Sequence, residues 1–200
     1  MKRYTVVALA AAAVLAVDQV TKSWAVQRLG PLPGVKSIPV IGSLEWRLAY
    51  NSGMAFSQGQ GRGPLIAVVA LTIVGILIWF ARSVEATWGR VVIGVVIGGA
   101  LGNLADRAFR PPAPGGVEGF MRGAVVDFIY LRWWPTFNVA DACVVVGGIL
   151  LAILAFRLPD PAEGGSDPAE GGSDPAAGGP EDSADEPADA PVEEATGTAS

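Results

Sequence analysis

The chain has 200 residues, 51% of them hydrophobic, with no histidine, one cysteine and a formal net charge of -5. Its apolar residues gather in blocks, which is a membrane protein composition. The missing histidine excludes Ser-His-Asp and Cys-His nucleophile systems and His zinc sites such as HEXXH, and the lone Cys143 excludes an intrachain disulfide or a cysteine-rich metal cluster. Carboxylate, Lys or Ser/Thr chemistry remains.

The net charge hides a division. Residues 1–158 hold all 14 Lys and Arg but only 7 of the 19 acids, whereas the last 42 residues hold 12 acids and no base. The acidic balance therefore describes the tail, and the body is basic.

Four apolar segments are predicted as membrane helices, each reaching or approaching the roughly 20 residues needed to cross about 30 Å of hydrocarbon. The first runs from about Thr5 through Ala25. Lys2 and Arg3 ahead of an alanine-rich core also fit a cleaved signal peptide. Val17, Val20, Trp24 and Val26 carry the apolar pattern past Asp18 and Lys22, however, and that i,i+4 spacing lets the two charges pair on one helix face.

Next, Leu44, Trp46, Leu48 and Tyr50 alternate with Glu45, Arg47 and Ala49, a strand pattern that stops at the turn Asn51-Ser52-Gly53. The second apolar segment spans Pro64 to Ala81. The third spans Val91 to about Leu104 and is the shortest; its Gly94, Gly98 and Gly102 recur every fourth residue, a stripe that lets a neighbouring helix approach closely. Asn103 and Arg107 follow i,i+4 at its end, where water or headgroups are expected to begin, and there they serve as interfacial anchors or as functional groups.

From Phe120 to Trp134 the sequence is rich in β-branched and aromatic residues, with Trp133 and Trp134 suited to the headgroup level, so a second strand region is expected on the same side as the first. The fourth apolar segment runs from Phe137 to Phe156, and Cys143 within it reads as a packing residue. Four spans with Lys2 and Arg3 inside place both termini on the cytoplasmic side. The outer loops then hold eight Lys and Arg against five on the inner segments, against the positive-inside rule. Beyond Pro159, the repeats DPAEGGS, DPAEGGS and DPAAGGP form an acidic, low-complexity stretch that cannot bury a core and is expected to be disordered.

Two residues dominate the functional reading. Asp127, in Val125-Val126-Asp127-Phe128-Ile129, and Asp141, in Phe137-Asn138-Val139-Ala140-Asp141, both sit in sequence that belongs in or against a bilayer. A carboxylate there costs roughly 2.5–3.5 kcal/mol on insertion scales, so it faces an interior or a cavity. If the two face each other, they do not readily ionise together, and one holds a proton while the other acts as a base. Asn138 and Asp141 are i,i+3 and share a face, Ala140 beside them leaves room for a substrate, and an amide so placed can set a carboxylate's rotamer and proton. Taken alone, the pair is compatible with catalysis, with an ion-coupling site of a transporter, or with structural acids in a membrane scaffold.

The blocks VDQVTK (17–22), NSGMAFS (51–57), GGALGNLADR (98–107), VVDF (125–128) and FNVADA (137–142) occur in the order and context found in lipoprotein signal peptidase, or signal peptidase II. The chain resembles that family from residue 17 to 142. The resemblance implies an all-α membrane protein of four transmembrane helices, with a small periplasmic β-cradle between helices 1 and 2 and before helix 4. It implies an integral membrane peptidase domain over 1–158 and a separate tail over 159–200. The implied activity is cleavage of a prolipoprotein's signal peptide just before the lipid-modified cysteine. Asp127 and Asp141 match the catalytic dyad and Asn138 the residue orienting it. Asn51, Asn103 and Arg107 match polar residues of the substrate pocket, with Gly53 and Ala140 supporting them, and Asp18 and Lys22 match a structural polar pair.

The implied partners are prolipoproteins carrying diacylglyceryl-cysteine and the membrane lipids, with no nucleic acid, no metal and no organic cofactor, and a monomer in the bacterial inner membrane with its site toward the outer leaflet. Two features depart from the family: the Pro/Gly-rich stretch Arg110 to Gly119, longer than the usual link between the third and fourth blocks, and the acidic tail.

Overall fold

In a computed structural model, which describes residues 2–30, 37–53 and 63–157, four long helices carry a small sheet. The helices are α1 (Lys2–Leu29), α2 (Gly63–Phe80), α3 (Thr87–Phe109) and α4 (Val139–Arg157), and the strands are β1 (Ser37–Ile41), β2 (Leu44–Asn51), β3 (Val125–Leu131) and β4 (Trp134–Phe137). All four helices are long and apolar enough to cross a membrane, with mean hydropathy from 1.5 to 2.5. The expected architecture of four spanning helices and a small β element is therefore the one observed. Residues 54–57 of the NSGMAFS block and the tail from 159 onward lie outside the described residues.

Helix α3 is longer than the sequence pattern suggested. It runs 23 residues rather than stopping near Leu104, because Asn103, Asp106 and Arg107 find their surroundings inside the protein instead of marking the edge of the bilayer. It is also the central helix. Gly94, Gly98 and Gly102 face α1, where a methyl group at Gly98 would lie 2.6 Å from the Ala11 carbonyl oxygen, and a methyl at Gly99 would lie 2.6 Å from the carbonyl of Ala140 on α4. Small residues thus admit both neighbouring backbones. Val7 and Ala11 of α1, Val74 of α2, and Ile93 and Ile97 of α3 form the buried apolar contact at the other end of the bundle. Most of α2 and α4 remains exposed, including Leu65, Val68, Ile76, Val145, Ile149 and Ile153, as expected for surfaces solvated by lipid rather than water.

The four strands pair in chain order, all antiparallel. Strands β2 and β3 confirm the two strand regions read from the sequence, whereas β1 and β4 carried no alternation strong enough to stand out. The fourth helix also starts later than its apolar run: Phe137 closes β4, and α4 begins at Val139. The sheet is seated on the end of α1 by Ala25, Leu29 and Phe128, and Trp24 packs edge-on against Trp46 at 5.9 Å and near Phe128 at 6.3 Å. This apolar seat determines where β3, and with it Asp127, meets the helices.

Candidate active site

The site is built where β3, α3 and the first turn of α4 converge. Register supplies its first contact. Ala49 pairs with Asp127 and Asn51 with Val125, so Asn51 and Asp127 are diagonal neighbours on one face of the sheet, and Asn51 Nδ2 donates to Asp127 Oδ2 at 3.2 Å. The oxygen of the same Asn51 amide accepts the Gly53 N–H at 2.8 Å, closing the turn at a glycine with φ of +87°.

Asn138 caps α4. Its Oδ1 accepts the Asp141 N–H at 2.9 Å, and the Asp141 carboxylate accepts the Asn138 N–H at 3.2 Å, a reciprocal capping box that also holds an anion at a helix N-terminus. The amide nitrogen of Asn138 remains free to reach outward, and it donates to Asp127 Oδ1 at 2.7 Å and to Asn103 Oδ1 at 3.1 Å. Asn103 in turn donates through Nδ2 to Asp141 Oδ1 at 2.7 Å. The two aspartates, from a strand and a helix, thus share Asn138 as a partner, with Asn51 holding Asp127 and Asn103 holding Asp141.

Asp127 is 3% exposed. Burial first, and the nearby Asp141 second, push its carboxyl up to about 7, against the opposing hydrogen bonds from Asn138 and Asn51 and the charge of Lys22.

Behind the asparagines lies a buried ion cluster. Lys22 Nζ reaches Asp18 Oδ2 at 2.8 Å, Asp106 Oδ2 at 2.9 Å and Asn103 Oδ1 at 2.9 Å, which uses all three of its protons. Asp18 also accepts the Ala140 N–H at 3.0 Å. Asp106 accepts from Arg110 Nε at 2.7 Å, from Gln19 at 3.0 Å and from the N–H of Val126, the residue before Asp127, at 3.1 Å. Two carboxylates balance one lysine and one arginine, with their lone pairs occupied, which is what makes such burial tolerable.

Most of the residues read from the sequence meet here. Asp127, Asp141, Asn51, Asn103 and Asn138 form one network, and Asp18 and Lys22 join it through Asn103. Arg107 is 8% exposed, so it is no headgroup anchor; its buried Nη1 has no hydrogen-bond partner, and it lines a cavity of about 300 Å³ with Asn103 and Asp141. Gly53 stands against it, since a methyl there would lie 3.3 Å from Arg107 Nη1.

Ala140 requires a correction. It is fully buried against Gly102 and Asp18, so its small side chain admits a helix contact and makes no room for a substrate. Cys143 packs against Gly99, in keeping with its reading as a packing residue. Asp106, Gln19 and Arg110 were missed. The signal was there in part: Asp106 stands i+3 from Asn103 and i,i+4 from Arg110 on the same helix.

The profile of the family described as Signal peptidase (SPase) II matches residues 10–157. A lipoprotein signal peptidase of Mycobacterium leprae (strain Br4923) is 47% identical over 146 residues, covering 72% of this chain and 68% of that protein. One of Mycobacterium avium (strain 104) is 44% identical over 146 residues, covering 72% and 75% respectively. A solved bacterial membrane enzyme superposes with a TM-score of 0.60 at 28% identity, covering 74% of this chain and 91% of that one. On these matches, the first of which takes in every residue of the network just described, the chain belongs to the signal peptidase II family of membrane peptidases.

Proposed function

We propose that the chain is an aspartic endopeptidase that removes the signal peptide of diacylglyceryl-modified prolipoproteins by cleaving just before the lipid-modified cysteine. The observation that carries this reading is the pair of carboxylates, Asp127 and Asp141, delivered by separate elements and both bonded to Asn138 at the start of a membrane helix, Asp127 to its side-chain amide and Asp141 to its backbone N–H. A carboxyl held near 7 beside a second carboxylate supports a dyad that shares one proton at neutral pH. One aspartate takes a proton from water as it attacks the scissile carbonyl, and the other protonates the departing amine. Arg107 Nη1, buried and unpartnered, is free to donate to a carbonyl of the bound peptide.

In this reading the protein lies in the bacterial inner membrane with both termini cytoplasmic and the site toward the outer leaflet, where water reaches the amide. No metal or organic cofactor takes part. Purified protein is incubated with a diacylglyceryl-modified prolipoprotein and with its unlipidated form. Cleavage of the lipidated form alone is expected, and cleavage of neither would overturn the proposal. Asp127→Asn and Asp141→Asn each abolish cleavage while the protein remains folded; substantial residual cleavage in either removes that residue from the dyad.

A further inference from the structure

Asp141 lines two cavities of different chemistry, and the difference assigns parts of a substrate to each. The first, about 300 Å³, lies between α2, α3 and α4, where Ala67, Ala70 and Ala100 leave space and Asn103 and Arg107 supply polar groups. The second, about 290 Å³, lies on the other side of Asp141, under the β3–β4 hairpin. Trp133, Trp134 and Phe137 form its roof, and Ala142, Val145 and Val146 of α4 its floor. Apart from Asp141, that lining is hydrocarbon and indole. The two tryptophans meet edge to face at 5.9 Å, a stiff wall, and Val145 and Val146 are both exposed on the membrane face of α4, so the groove opens sideways toward lipid.

A peptide brings N–H and C=O groups that cost several kcal/mol each when buried unpaired, at the upper end of measured values, and the side chains lining the hairpin groove offer them no partner besides Asp141. It fits the α2–α3–α4 cavity, where Arg107 has an unused donor. Hydrocarbon carries no such demand. We infer that the groove between the β3–β4 hairpin and α4 binds an acyl chain of the substrate's own lipid group, so that peptide and lipid approach Asp141 from opposite sides. The inference rests on the peptidase reading above and adds a specificity surface to it: Trp133, Trp134, Val145 and Val146 would read chain length. The groove's continuity with Asp141 favours the substrate's chain over a bulk lipid as occupant.

The test compares KM for two precursors that differ only in the acyl groups on the cysteine, palmitoyl against butyryl, using the full chain in detergent. Wild type is expected to show a KM several-fold lower for the long-chain precursor, since only the longer chain reaches the packing contacts that Trp133, Trp134, Val145 and Val146 offer along the groove. Val145→Phe, which fills the groove, and Trp134→Ala, which removes its wall, each raise the long-chain KM toward the short-chain value. Val68→Phe, on the exposed face of α2 away from both cavities, retains the wild-type ratio. Two variants on different elements guard against a folding defect in one.

A wild-type KM insensitive to chain length, or an unchanged ratio in both groove variants, overturns the inference and leaves the groove to bulk lipid. A loss of kcat shared equally by both precursors also overturns it, since the groove would then act only by disturbing Asp141. Failure of wild type to cleave either precursor overturns the peptidase reading itself, and is thereby distinguishable.

Discussion

Asn103 holds Asp141 from behind: its Nδ2 donates to Asp141 Oδ1 at 2.7 Å while its own oxygen accepts Lys22 Nζ at 2.9 Å. A charged donor on one side of an amide strengthens the bond that the amide gives on the other, so a lysine one residue removed from the site acts on its carboxylate.

Replacing Asn103 by Ala therefore removes a donor from Asp141 and an acceptor from Lys22 at once. Bonds to charged groups are worth about 1.5–3 kcal/mol, so kcat is expected to fall roughly 10- to 100-fold, with KM for the precursor changing less. Steady-state kinetics on purified enzyme measures the split, and a change confined to KM would contradict it.

Lys22→Met leaves Asp18 and Asp106 facing each other in the bundle without their shared cation. Breaking a buried pair in this way costs about 3–5 kcal/mol, enough to lower membrane expression or Tm sharply. Thermal unfolding in detergent reports the loss. The double variant Lys22→Met with Asp18→Asn is expected to recover part of it, because one of the stranded charges is gone.

The pH dependence follows from Asp127. Its carboxyl ordinarily titrates near 3.8 and here near 7, so below about 4 both folded and unfolded chains hold the proton and it contributes no penalty. Between about 4 and 7 the unfolded chain has released the proton while the folded one retains it, so stability declines as pH rises, by at most on the order of 4 kcal/mol. Asp127→Asn has no proton to lose. It is expected to be more stable than wild type at pH 8, with the margin shrinking as pH falls toward 4, as Tm across that range would show. Activity is expected to fall above pH 7, where the dyad loses its shared proton.

Helix contact gives a contrast between two glycines. A side chain at Gly98 collides with the Ala11 carbonyl, whereas Gly75 on α2 has nothing within 4 Å. Gly98→Val is expected to destabilise by about 1–3 kcal/mol or more through forced separation of α1 and α3, and Gly75→Val to be nearly silent. Comparison of their melting temperatures decides the matter; equal values would mean that the helices pack elsewhere.

Removal of residues 159–200 is expected to leave peptidase activity largely intact, since that stretch has neither a base nor the apolar content to build a core or a site. Activity lost in the truncated protein at normal membrane expression would assign the tail a role.

The sequence by itself determined the class of molecule and most of the site's membership. Four apolar segments of membrane length are visible because lipid demands a long run of one chemistry, and the period-two pattern of Leu44 to Tyr50 is visible because β2 has two differing faces. The five blocks named Asp127 and Asp141 through family resemblance, and local spacing paired Asp18 with Lys22. What only the tertiary structure decided was how groups distant in sequence combine. Asp106 drew no reading from the sequence, and only the structure places Lys22, Gln19 and the Val126 N–H around it; Arg107 was open between an anchor and a functional group until α3 carried it inside. Ala140 lies beside Asp141 in the chain yet faces Gly102, because neighbours on a helix point about 100° apart. A polar residue in a membrane sequence signals a cost, and its partners, which three-dimensional packing supplies, decide whether that cost is met as structure or as chemistry.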